Sequence, residues 1–143
     1  MNAKLVRVGT IYLPVKEVDV SARWYEEKLG AHISYIDNSK AILNFADQSF
    51  FLVQSPSNES ANFVDSQGEE RFSVTFEVNG LEVLQQLHEE FSSKQIHVGL
   101  IENRGHTGRN FVFEDLDGNK FDVWSELSPK YKKRFSEQLG ELL

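Results

Sequence analysis

The sequence predicts an α+β protein of two βαβββ repeats followed by a C-terminal helix. Three observations lead there: short runs in which apolar residues alternate, two helix-like stretches at matching places, and the same element order on both sides of a polar segment. The 143 residues suffice for a single domain over 1–143, since a chain of this size buries roughly 70% of the surface its unfolded form exposes. The first repeat covers about 5–55, a linker 56–70, the second repeat about 71–126 and the terminal helix about 129–142.

Residues 5–15, LVRVGTIYLPV, alternate as a strand does, and Asp19 before SARWYEEKLG reads as the N-cap of a helix closing on Gly30. Three strand-like runs follow, AHISYI, KAILNF and SFFLVQ, separated by the turn formers Asp37-Asn38-Ser39 and Asp47-Gln48. The Ser, Asn, Gly and charge content of Ser55 to Glu70 marks a long loop. Beyond it RFSVTFEV alternates again, and Asn79 is placed to cap a helix with Leu81, Leu84, Leu87 and Phe91 at helical spacing. QIHVGLI, NFVFED and NKFDVWSE supply three more strands, the last two joined by the turn Asp115-Leu116-Asp117-Gly118. From Pro129 an amphipathic helix carries Tyr131, Phe135, Leu139 and Leu142 on one stripe, expected to cover a sheet edge or to contribute to a homodimer.

Composition narrows the function. There is no cysteine, which excludes disulfides, zinc–thiolate sites and a cysteine nucleophile. A net charge of −7 argues against nucleic-acid binding, and the basic cluster Lys130, Lys132, Lys133 and Arg134 reads as the solvated face of the last helix. No apolar run approaches the roughly 20 residues of a membrane span, and no export signal is recognisable, so no membrane partner and a cytoplasmic location are expected.

Successive strand side chains point to opposite faces, so the faces can be assigned. Ile11, Leu13 and Val15, Phe50 and Leu52, Phe72, Val74, Phe76 and Val78, and Phe121 and Val123 form helix-packing faces. The opposite faces carry Thr10, Tyr12, Phe51, Val53, Ser73, Thr75, Asp122 and Trp124. Aromatic rings among hydroxyls, rather than Lys and Glu, suit a concave small-molecule site with apolar walls. His106, in the loop RGHTGRN with Arg104 and Arg109, is placed to reach over its mouth. His88 reads as a helix-surface residue, and His32 and His97 as facing solvent or a neighbouring subunit.

The segments LPVKEVDVSARWYEEKLGA and NFVFEDLDGNKFDVWSE resemble the two signature stretches of the vicinal-oxygen-chelate (glyoxalase/bleomycin-resistance/dioxygenase) family. Trp24-Tyr25 and Leu29-Gly30 carry the first likeness; Phe113, Asp115, Asp117-Gly118-Asn119 and Trp124 carry the second. The resemblance implies paired βαβββ modules forming a curved mixed sheet around a cavity. It also implies one of several activities: glyoxalase, extradiol dioxygenase, epimerase, fosfomycin modification, or metal-free drug sequestration. Metal enzymes of the family place His or Glu at positions that correspond here to Thr10, Phe51, Ser73 and Asp122. Only Asp122 is a competent anionic ligand, so no cofactor is expected and a divalent metal is disfavoured. The favoured reading is a metal-independent small-molecule-binding protein, a homodimer with a degenerate metal site. The alternative is a divergent lyase or dioxygenase, either metal-dependent, with His106 or a second chain completing the site, or using Asp122 as catalytic acid/base.

Overall fold

The computed structural model describes residues 4–142, with side chains described through Gly140. It has the predicted architecture, an α+β chain in which the βαβββ order occurs twice before a terminal helix. The chain forms two compact units, Met1–Glu70 with Asp115–Asn119, and Arg71–Glu114 with Lys120–Leu143.

In the first unit β1 (Thr10–Val15), α1 (Val18–Leu29), β2 (His32–Ile36), β3 (Lys40–Phe45) and β4 (Gln48–Gln54) build an open mixed sheet ordered β1-β4-β3-β2. β1 and β4 run parallel with Tyr12 opposite Phe51 and Leu13 opposite Leu52. Alternation holds: Leu13, Val15, Phe50 and Leu52 are buried, while Tyr12 is 65% exposed. They pack with Val18, Ala22 and Tyr25, buried at helical spacing on α1. The expected strand over 5–15 begins only at Thr10, because its parallel register meets Ser49 just where β4 starts, leaving residues 5–9 nothing to pair with.

The cap of α1 also differs from expectation. Glu17, not Asp19, is the N-cap, and it makes no side-chain cap bond. Asp117, far along the chain, braces the start of the helix instead, accepting the N–H of Lys16, just before the cap, and the Ser21 hydroxyl, each at 2.7 Å. The other end follows the sequence: Gly30 takes φ 71°, and the Ala31 N–H closes on the Tyr25 carbonyl at 3.2 Å.

Asp117 belongs to a buried clasp. The Asp115 carboxylate accepts from Tyr25 Oη at 2.5 Å, Asn119 Nδ2 at 2.8 Å, and the backbone N–H groups of Asp117 and Asn119 at 2.9 Å each. Asn119 is fully buried and donates onward to the Pro14 carbonyl while its Oδ1 accepts from the Ala61 N–H. That last bond and Asn62 Nδ2 to the Gly118 carbonyl, 2.7 Å, fasten the expected linker. The linker is also more ordered than its composition suggests: β5 (Phe63–Val64) and β6 (Glu70–Arg71) pair across a turn that the Asp65 side chain caps.

The second unit repeats the plan with β7 (Thr75–Glu77), α2 (Leu81–Ser93), β8 (His97–Val98), β9 (Asn110–Glu114) and β10 (Lys120–Trp124), ordered β7-β10-β9-β8. β7 is shorter than the expected strand over 71–78: Arg71 already pairs in β6, and the chain bends at Ser73 before joining β10. Its core is aromatic, with Phe113 4.9 Å from the Phe91 ring on α2 and 5.3 Å from Phe121. Gly80 at φ 107°, not Asn79, is the N-cap of α2, and Leu81 is 45% exposed, whereas Leu84 and Phe91 are buried as expected. His88 is more than a surface residue, since its Nε2 meets the Gly99 carbonyl at 2.8 Å and its ring stands edge-on to Phe111. The strand expected from QIHVGLI is interrupted. After Val98 and the Gly99 N–H bond to Val112, pairing resumes only at Glu102 opposite Asn110, and Leu100 bulges out 84% exposed. The chain ends in α3 (Pro129–Leu142), rooted where Glu77 accepts from the Ser128 N–H at 2.9 Å and from its hydroxyl.

The clasp makes two predictions. Asn119→Ala removes the partner of the Ala61 N–H, the donor to the Pro14 carbonyl and one of the four donors to Asp115, so equilibrium urea unfolding should show a loss of about 2–4 kcal/mol with an unchanged m-value. Burial, outweighing its hydrogen bonds to Tyr25 and Asn119, raises the pKa of Asp115. The folded chain therefore holds this proton more tightly than the unfolded chain, and the contribution is lost as pH rises from the ordinary carboxylate value through the raised one. Denaturation midpoints measured across mildly acidic pH should show this descending component, and Asp115→Asn should remove it.

Candidate ligand-binding site

On the face of the second unit's sheet away from α2, a concavity of about 660 Å³ is lined by Thr75, Glu77, Asn110, Asp122 and Trp124 from the strands and Arg104, His106 and Thr107 from the preceding loop. Strand geometry selects these residues. Thr75 is the parallel neighbour of Asp122, and Asn110 is the antiparallel neighbour of Trp124, so all four share one face. The interrupted edge at Glu102 then releases the chain as a loop, which carries Arg104 and His106 to the same face.

Asp122 lies at the base, 3% exposed. A buried carboxylate needs compensation, and three side chains supply it. Its Oδ2 accepts from Asn110 Nδ2 at 2.9 Å and from Thr75 Oγ1 at 3.1 Å. Its Oδ1 lies 3.1 Å from Arg104 Nη2, an ion pair without the alignment of a full hydrogen bond. Arg104 also donates through Nε to Glu102 at 2.7 Å, and its guanidinium lies 6.0 Å from the centre of the Phe72 ring. Partial burial works against the Arg104 charge, but Glu102 and Asp122 outweigh it and hold its pKa above the ordinary value.

The wall is built around one carbonyl. Thr107 O accepts from Trp124 Nε1 at 2.9 Å and contacts His106 Nδ1 at 2.8 Å. A carbonyl cannot donate, so Nδ1 carries the His106 proton and Nε2 is the open nitrogen of the neutral ring. The imidazole stands edge-on to Trp124, centroids 6.0 Å apart. Gly108 makes this arrangement possible. Its φ is 83°, and a Cβ there would sit 2.7 Å from Ser125 Oγ and 2.8 Å from Trp124 Nε1.

Of the residues expected from sequence, Thr75, His106, Asp122 and Trp124 come together here. Ser73 stands in the bend before β7 and is not among the lining residues. Thr10, Tyr12, Phe51 and Val53 lie on one face of the first unit's sheet, where the Tyr12 and Phe51 rings are 5.0 Å apart. Asn110 escaped the sequence reading, although its in-phase spacing with Val112 in β9 put it on the site face. Glu77 and Thr107 were also missed as lining residues, and nothing in the sequence announced that a Thr107 carbonyl would be shared.

Four positions correspond by resemblance to the family's metal positions: Thr10, Phe51, Ser73 and Asp122. Phe51 has no donor atom, and the Asp122 oxygens face Arg104, Asn110 and Thr75. Among the described residues, no three His, Cys, Asp or Glu side chains converge.

Residues 6–123 match the family model described as the Glyoxalase/Bleomycin resistance protein/Dioxygenase superfamily. No curated protein matches the sequence. Several solved structures share the fold. A lactoylglutathione lyase from Agrobacterium tumefaciens aligns with a TM-score of 0.65 at 13% identity, covering 85% of this chain and 95% of its own. The genomically encoded fosfomycin resistance protein FosX from Listeria monocytogenes, complexed with Mn(II) and sulfate, gives 0.67 at 16%, covering 92% and 98%. A bleomycin resistance determinant encoded on the transposon Tn5 gives 0.60 at 20%, covering 86% and 100%.

The role assigned to Gly108 is testable without knowing the ligand. Gly108→Ala should displace the loop, break the Trp124–Thr107 bond and red-shift Trp124 emission. Recorded in a Trp24→Phe background, an unchanged spectrum would contradict this packing.

Proposed function

Because the chain belongs to the Glyoxalase/Bleomycin resistance protein/Dioxygenase superfamily, we propose that it is a metal-independent small-molecule-binding protein of this type, with a degenerate metal site. The observation that carries the reading is the state of Asp122: a guanidinium, an amide and a hydroxyl surround the one carboxylate left among the family's metal positions. Arg104 stands beside it as a cation would, and releasing it would leave a buried charge unpaired. Thr10, Phe51, Ser73 and Asp122 therefore act as ligand-site or packing positions, not as metal ligands.

The ligand is a small, partly aromatic or cationic molecule. Trp124 offers a flat wall, and the lining charges, Glu77 and Asp122 against Arg104, leave one formal negative charge when His106 is neutral. Tyr12, Phe51 and Val53, with Thr10, form a ligand-binding face of the first repeat's own sheet. The protein is one domain over residues 1–143, a cytoplasmic homodimer, and binds neither nucleic acid nor membrane; no helix of the described residues is long and apolar enough to cross a bilayer. The alternative, a divergent lyase or dioxygenase using a metal or Asp122 as acid/base, must first free that carboxylate from Arg104.

Screening aromatic and cationic compounds against dialysed protein, by thermal shift and Trp fluorescence, tests the proposal. Ligands should bind equally with and without chelator and lose about tenfold or more in affinity in Trp124→Ala. A library that yields no ligand, or ligands whose binding chelator abolishes, would overturn it.

A further inference from the structure

Asn110 and Asn119 are both buried, 3% and 0% exposed, but only one of them is fully bonded. Asn119 donates to Asp115 and Pro14 and accepts from the Ala61 N–H. Asn110 donates through Nδ2 to Asp122 Oδ2 at 2.9 Å, while its Oδ1, closed off from water, has no hydrogen-bond partner among the described residues. The amide cannot turn over to relieve it, because an ionised Asp122 accepts and does not donate. Nor can the residue swing away: its N–H and its carbonyl are both bonded to Glu102, at 3.1 and 2.7 Å. An unpaired acceptor at this depth is costly and rare in native interiors, so one on a residue that lines a concavity calls for a donor from outside the chain.

We propose that Asn110 Oδ1 is the acceptor that selects the ligand, and that the ligand is an aromatic amine whose ring lies against Trp124 and whose N–H donates to Asn110. The inference rests on the aromatic or cationic ligand proposed above and narrows it to molecules that carry an N–H. A charged amine suits the site better than a neutral donor, since with His106 neutral the lining carboxylates, Glu77 and Asp122, exceed Arg104 by one formal charge. An ammonium also has donors left for Asp122 Oδ1, which Arg104 meets without the alignment of a full hydrogen bond. A quaternary cation brings the same charge and no donor, and leaves the Asn110 oxygen unpaired. Because Oδ1 is enclosed, a ligand meets it only as the lining shifts, and three lining residues, Arg104, His106 and Thr107, belong to a loop rather than a strand.

A methylation series tests it at neutral pH: 2-phenylethylamine and its N-methyl, N,N-dimethyl and N,N,N-trimethyl derivatives, titrated calorimetrically into the dialysed full chain. The first three keep an N–H and should bind with similar affinity, whereas the last should bind about tenfold or more weakly. Crowding by the added methyls would instead erode affinity evenly along the series. In protein labelled with carbon-13 asparagine, the Asn110 side-chain carbonyl signal should move downfield with the first three probes and stay in place with the last. Asn110→Leu, its fold checked by far-UV circular dichroism, should bind all four alike; where it does not fold or bind, the wild-type carbonyl signal decides. An even decline, a trimethyl probe that binds as well as the others, or a carbonyl signal that no probe moves overturns this inference and leaves the broader ligand reading standing. So does failure of all four probes while other aromatic or cationic compounds bind. Failure of the whole library overturns both.

Discussion

Taking a carboxylate out of water is costly, and each unit of this chain is organised around one that has been buried. In the first, Asp115 draws together a tyrosine hydroxyl, an asparagine amide and two backbone N–H groups. In the second, Asp122 draws together Asn110, Thr75 and Arg104. Such networks are stable only when nearly complete, so each dictates where several other residues must be. Asp115 and its neighbours fix the turn between β9 and β10, the start of α1 and one end of the linker. Asp122 fixes the loop that walls the concavity.

The two carboxylates have different consequences because their partners differ. Asp115 meets only neutral donors, and desolvation prevails, so its proton is held more tightly than usual. Asp122 meets a guanidinium. That pairing sets a guanidinium beside the one carboxylate among the positions that the resemblance equates with the family's metal ligands. The concavity above it is lined further by Trp124, His106 and Thr107.

Much of the fold was legible because strands and helices bury one face, and burial leaves a periodic mark. Leu13 and Val15, Phe50 and Leu52, and Phe121 and Val123 announced their packing faces, and Gly30 announced a helix end. Strand limits were less legible because pairing depends on what the neighbouring strand offers: residues 5–9 alternate like a strand, but β4 starts only beside Thr10. The DLDGN run read as a turn, which it is. Its side-chain bonds to Pro14, Lys16, Ser21 and Tyr25 join residues distant in sequence and leave no local signature. For the site, Asp122 and Trp124 followed from alternation, and His106 from its loop. The ion pair of Asp122 with Arg104 required the interrupted edge at Leu100, which looked like continuous strand. The stripe of α3 was visible, but a periodic pattern does not say what covers it.

The central claim is that Arg104 takes the place of a metal ion beside Asp122. Calorimetric titration of Mn(II) into dialysed protein tests it most directly. The account predicts no saturable uptake near one equivalent per chain. Stoichiometric uptake that Asp122→Asn abolishes would contradict it.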